Sequence, residues 1–210
     1  MVDNFDTIKP LLKFNKHGDF YFLQLLLRKK DGVDVPNGSD NQRRLVRDYH
    51  ITSVGQLDEL KDEIVGLCNE TSARAYIRLN KRNYRTIAMA YAQETLKKAM
   101  LGEEFGNTYN EINSVIGRYP EGHKGDKTWL VDIDDHVPDS IRVSIVKGII
   151  SKCEPINEDK VVASIPTRSG THLIVKPFNL GRFNELKEEM LSDESEVAVL
   201  KDNPTILYAP

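Results

Sequence analysis

Apolar positions recur along this chain at two periods, and the changes from one to the other mark out its elements. Residues 19–27 form an aromatic and aliphatic run with strong strand preference. A turn-rich stretch follows at 31–40, with Asn37-Gly38 as its clearest turn signal. Residues 43–51 then alternate basic with apolar or aromatic positions, which predicts the return strand of a long hairpin. Ser53-x-x-Gln56 predicts a capping box opening a helix that carries Leu57, Leu60, Ile64 and Leu67 at helical spacing. Residues 73–79 alternate again as a strand. Residues 84–101, rich in Ala, Met and Leu, predict a helix ending at Gly102, and 109–116 a shorter one. A Gly- and Lys-bearing loop occupies 119–127.

Beyond Thr128 the pattern tightens. An alternating strand at 129–134 leads to Pro138, suited to a helix first turn, and a helix running to about Cys153. Strands at 160–165 and 171–175 flank the turn Pro166-Thr167-Arg168-Ser169-Gly170. A helix at 179–191 and a strand at 197–200 follow, with a further extended stretch at 205–208. The order β-α-β-β-α-β is that of ferredoxin-like or RNA-recognition-motif modules. The expected fold class is therefore α+β. An N-terminal α/β module, 1–127, precedes an RNA-recognition-motif-like module, 128–210, in one compact unit. In that topology the first and third strands lie side by side at the centre of an antiparallel sheet, so their ends can converge.

Composition narrows the function classes. A chain of 210 residues suits one large domain or two small intimate ones. No apolar run approaches the roughly 20 residues needed to span a bilayer. The acidic start, Met1 to Asp6, lacks the basic-then-apolar pattern of a signal peptide. Cys68 and Cys153 form no Cys-x-x-Cys pair, so buried free thiols are expected rather than zinc ligands, and a cytoplasmic protein without a membrane partner. The net charge of −3 conceals basic patches at Arg28-Lys29-Lys30, at Arg43-Arg44 with Arg47, and from Arg74 to Arg85. Such patches steer nucleic acid whatever the net charge.

The candidate chemistry begins with Asp132 and Asp134, one residue apart at a strand end. Strand alternation points both the same way, about 6–7 Å apart, where like charges repel unless a cation lies between them. Carboxylate oxygen at such a strand end suits Mg²⁺ or Mn²⁺; the alternative is a strand running out into an Asp-rich turn. Ser169-Gly170-Thr171-His172 places an imidazole and a hydroxyl at a strand start, able to meet one phosphate, or else a histidine bonded at the sheet edge. Asp202, after Val199-Leu200-Lys201, offers a third carboxylate, or an ordinary turn with Asn203 and Pro204.

The three elements in this order resemble the archaeo-eukaryotic primase superfamily, the primase-polymerases of phages, plasmids and bacterial mobile elements. That family carries an apolar strand ending in Asp-x-Asp, a Ser-x-His-like element and a strand ending in a single Asp. The resemblance implies a nucleotidyltransferase with two divalent metals, Mg²⁺ or Mn²⁺, on Asp132, Asp134 and Asp202. Asp132, Asp134 and His172 become the catalytic set, and His172 with Ser169 holds the incoming triphosphate. Arg168 and Lys127, beside these motifs, are further candidates for the nucleotide phosphates. The implied partners are nucleoside triphosphates, a single-stranded DNA or RNA template, and a helicase or accessory primase subunit.

The segment from Arg74 to Arg85 interleaves basic, aromatic and amide residues. Arg74, Tyr76, Arg78 and Asn80 fall on one alternating face, and Arg82 follows; this face suits phosphates and stacked bases of a single strand, or is a solvated edge. Arg43 belongs to a second patch. Two other function classes remain open: a catalytically inactive nucleic-acid-binding module, and a metal-dependent nuclease in which His136 would assist. No phosphate loop of Gly-x-x-x-x-Gly-Lys type and no nucleophile elbow occurs.

Overall fold

The computed structural model describes residues 1–32, 43–120, 127–134, 141–156, 158–191 and 197–210. Residues 33–40 of the predicted turn, loop residues 121–126 with Lys124, and Asp135, His136 and Pro138 lie outside the described residues. Those described form an α+β protein with two antiparallel sheets.

The N-terminal half contributes β1 (Val2–Asp3), α1 (Phe5–Ile8), β2 (Asp19–Arg28), β3 (Arg43–Ile51), α2 (Val54–Glu59), α3 (Lys61–Thr71), β4 (Arg74–Ile77), β5 (Arg82–Asn83), α4 (Tyr84–Leu101) and α5 (Thr108–Arg118). The hairpin β2–β3 pairs from Tyr21 with Ile51 to Arg28 with Arg43. Alternation along β2 divides its side chains between two layers. Leu23 and Leu25 pack with Leu57 of α2 and Ile64 and Cys68 of α3. Phe20 and Phe22 pack with Ile87 and Ala90 of α4 and Val115 of α5.

The predicted single helix after Ser53 is two. Ser53 Oγ accepts from the Gln56 N–H at 3.0 Å, whereas the Gln56 side chain accepts from Thr52 N–H at 2.7 Å, one residue before the expected partner. The helix breaks at Leu60, whose N–H bonds back to Gln56 and whose backbone also caps α3. Leu57 and Ile64 still reach the same core, because the break preserves the apolar face. Helix α4 ends as expected, with Gly102 at φ 66°, a left-handed turn that favours glycine.

The C-terminal half contributes β6 (Trp129–Asp134), α6 (Ile141–Ser151), β7 (Val161–Pro166), β8 (Gly170–Val175), α7 (Leu180–Met190), β9 (Val197–Leu200) and β10 (Thr205–Ala209). The second sheet runs β7-β8-β6-β9, with β6 and β8 adjacent at its centre. Val131 and Ile133 of β6 pack with Val143, Val146 and Ile150 of α6 and Phe183 and Leu186 of α7. The opposite face carries Leu130, Ile165 and Ile174 into the core of the first sheet. Asp132 and Asp134 alternate with Ile133 and so share Leu130's face, the one turned toward the first sheet.

Strand β10 departs from the modular reading. It pairs with β4 and β1 in the first sheet, whose order is β1-β10-β4-β2-β3, so residues 205–209 return to the N-terminal half. Asn4 reinforces the crossing: its side-chain amide donates to the carbonyls of Pro166 and Ile206, both at 3.0 Å.

Candidate active site

The β6–β8 ladder sets the first part of the site. Asp132 pairs with His172 and Asp134 with Gly170, so the imidazole stands beside the first carboxylate on one face. Nε2 of His172 lies 3.3 Å from Asp132 Oδ1. Nδ1 is 2.9 Å from the hydroxyl of Thr205, a residue of the other sheet with no solvent exposure. A carboxylate only accepts, so the Asp132 contact favours hydrogen on Nε2; Nδ1 then accepts from Thr205 in the neutral ring and donates to it in the cation. His172 is largely buried, and the Asp132 side chain remains 36% exposed.

Asp132, Asp134 and His172 open onto one cleft of about 470 Å³, within the usual size of small-ligand sites. Arg28, Arg43, Arg74 and Tyr76 form the wall contributed by the first sheet, and Thr167, Arg168 and Ser169 form the β7–β8 turn at its mouth. Arg74 is ion-paired with Asp31, and Arg28 donates to the Tyr76 hydroxyl at 2.9 Å. Arg28 and Arg43 of the first sheet therefore supply cationic charge across from the two carboxylates, with Arg168 at the mouth beside them. This separation of signs within one cleft suits a ligand that brings phosphate oxygens to the arginines and a cation to the aspartates.

Asp202 does not join this set. Strand β9 runs antiparallel to β6, with Ala198 opposite Asp132 and Leu200 opposite Leu130. Strand β9 ends at Leu200, beside Leu130, and Asp202 follows in the bend beyond it, turned toward Asn80 and Thr128. Its carboxylate accepts from Arg82 Nη2 at 2.7 Å and from the Asn80 amide at 3.0 Å, with Arg78 3.7 Å away. The expected three-acid cluster is replaced by a two-acid site and a separate polar lock.

The same lock removes three expected nucleic-acid contacts. Arg82 has no solvent exposure and also donates to the carbonyls of Ile116 and Gly117. Asn80 exchanges hydrogen bonds with backbone Thr128 at 2.8 Å in each direction. Arg78 donates to the Asp202 carbonyl, and burial pushes its guanidinium below the ordinary arginine value, Asp202 opposing that shift. Strand alternation ends at Ile77, and the chain turns inward there. Arg74, Tyr76 and Arg43 do reach the cleft. Lys127 does not; it lines a second pocket at the other end of β6.

Arg28 and Asp31 in the cleft, and Thr205 buried behind His172, are not among the expected site residues. In the sequence Arg28 stands in a basic patch, Asp31 opens the turn-rich stretch and Thr205 begins an extended stretch. Only β10's return to the first sheet brings Thr205 to His172, and no local pattern announces it.

Among the described residues, no three His, Cys, Asp or Glu side chains gather as a metal cage. Two carboxylates facing arginines across the cleft nevertheless fit Mg²⁺ or Mn²⁺, which keep waters and draw further ligands from a phosphate. No helix among the described residues is long and apolar enough to cross a membrane. Comparisons with protein-family models, curated proteins and solved structures return no match.

Proposed function

We propose that the cleft is a nucleotidyltransferase site of primase-polymerase type, adding nucleotides on a single-stranded template. One observation carries this reading: Asp132, Asp134 and His172 face a single cleft whose opposite wall is built from arginines. The second sheet supports it, since the order β7-β8-β6-β9 with α6 and α7 on one face reads as an RNA-recognition-motif-like unit. Asp132 and Asp134 would hold the divalent cation, which supplies charge stabilisation to the reacting phosphates. His172, Arg168 and Ser169 receive the triphosphate, and Arg43 receives the template strand. Thr205 fixes the plane of the imidazole through Nδ1, and a cation taking up the Asp132 carboxylate would release Nε2 to donate to a phosphate oxygen.

A catalytically inactive nucleic-acid-binding module is the competing reading, favoured by one observation: Asp202 is held in the internal lock rather than at the cleft. Primer synthesis or extension separates the two, using purified protein, a single-stranded template, NTPs or dNTPs, and Mg²⁺ or Mn²⁺. We expect incorporation, reduced about tenfold to a hundredfold in His172→Ala through loss of a charge-assisted hydrogen bond, with template binding intact. Template binding without incorporation would select the inactive module. Degradation of the template would select a nuclease.

A further inference from the structure

Outside the cleft, a second pocket of about 280 Å³ opens between the two sheets. Among the described residues its lining contains four lysines, Lys13, Lys81, Lys127 and Lys176, and no acid. That bias is unexpected in a chain with 32 acidic residues against 29 Lys and Arg. Lys81 is neutralised beneath the floor, its Nζ 3.2 Å from the buried carboxylate of Asp19. The side chains of Lys13, Lys127 and Lys176 make no ion pair with any described residue. Lys13 is nonetheless fixed in place, because the buried Tyr21 hydroxyl accepts from its N–H at 2.8 Å and donates to its carbonyl at 3.2 Å.

Between the lysines the wall is apolar. Leu79, Val162 and Ile174 line it, and Val162 is 44% exposed although it is a β-branched strand residue. Ile174 pairs with Leu130, and both are buried in the shared core. They close the floor between this pocket and the cleft, so the two openings lie on one face of the second sheet but do not merge.

We infer that this pocket is an anion site for a nucleoside monophosphate, either free or as the terminal nucleotide of a strand. Three unpaired ammonium groups act as point charges on a phosphate, and the apolar wall receives a flat base. The volume lies at the small end of ligand sites, enough for one nucleotide and not for a polymer groove. With no carboxylate among the described lining residues, binding needs no metal and involves no transfer step. The inference is thus independent of the activity proposed for the cleft.

The test is equilibrium binding of AMP to the full chain in EDTA, by calorimetry, with a 5′-phosphorylated oligonucleotide and its dephosphorylated form as further arms. We expect saturable AMP binding that weakens with salt and falls about tenfold for each of Lys127→Gln and Lys176→Gln. These side chains are exposed, so the variants should unfold at the wild-type temperature. Arg43→Gln and Arg168→Gln, which alter the cleft, should leave this binding unchanged. Binding of the phosphorylated oligonucleotide alone would identify the strand end as the source; equal binding of AMP would identify the free nucleotide. No saturable AMP or oligonucleotide binding in EDTA overturns the inference, as does binding lost in the arginine variants and kept in the lysine variants.

Discussion

The Thr205 hydroxyl lies 2.9 Å from Nδ1 of His172, joining a strand of the first sheet to the central strand β8 of the second behind the cleft. Thr205 has no solvent exposure, so its hydroxyl depends on His172 rather than on water for a partner. The ring that faces Asp132 is therefore aligned by a residue from the other half of the protein.

Thr205→Val keeps the shape of this side chain and removes its hydrogen bond. We expect a stability loss of about 1–3 kcal/mol, measured by chemical unfolding, and restoration by Thr205→Ser. Incorporation should fall with template affinity unchanged. An unfolding midpoint identical to wild type would remove Thr205 from the site.

Asp202 and the Asp132–Asp134 pair are predicted to separate in two assays. Calorimetry with Mn²⁺ should lose its signal in Asp132→Asn with Asp134→Asn and keep it in Asp202→Asn. The Asp202 substitution should instead cost roughly 1.5–3 kcal/mol in unfolding, because the buried Arg82 loses its charged acceptor. Loss of Mn²⁺ binding in a folded Asp202→Asn protein would return Asp202 to the metal.

Salt dependence distinguishes exposed arginines from internal ones. If Arg43 meets a template phosphate, Arg43→Gln should reduce the slope of log affinity against log salt by about 0.7 for a single strand. Arg82→Gln should lower the unfolding temperature instead, since that side chain has no access to solvent. A slope unaltered by Arg43→Gln would exclude the contact.

Acid stability should depend on Asp19. Burial raises the pKa of its carboxyl, but the Asn83 amide, Lys81 and the Lys16 N–H together hold it below the ordinary aspartate value. A carboxyl with a depressed folded-state pKa contributes fully above its unfolded value, about 4, and loses that contribution as pH falls through the folded value. Thermal unfolding of wild type should decline through this window, and Asp19→Asn, less stable at neutral pH, should show a flatter decline. Parallel curves would place the acid sensitivity elsewhere.

Much of the layout could be read from periodicity. The alternation of 129–134 separates Val131 and Ile133, which pack on helices, from Asp132 and Asp134, which face the cleft. His172 follows from the turn at Ser169-Gly170 only as the start of β8, because that turn pairs it with Ile165, and its place opposite Asp132 comes from β6 entering beside β8. The same rule misled beyond Ile77, since alternation gives the face of a residue only while the strand lasts. Asp202 misled for a related reason: a strand-end carboxylate has no defined neighbours until the direction of its strand is known. Antiparallel pairing of β9 with β6 sends it to the far end. Thr205 was beyond local patterning altogether, because its partner is set by which sheet β10 enters.

That exchange of β10 orders events during synthesis. Strand β4 has β2 on one side from early in translation, but its other edge is left unpaired until residues 205–209 emerge. The first sheet is therefore completed last, although most of its strands are made first. Until then, Ile77 and Ala75 sit on an open edge that another nascent chain can pair with, the exposure that favours aggregation and exchange between chains. Such contacts of high sequence separation slow folding, and the bond between Thr205 and His172 forms only once β10 has entered the first sheet.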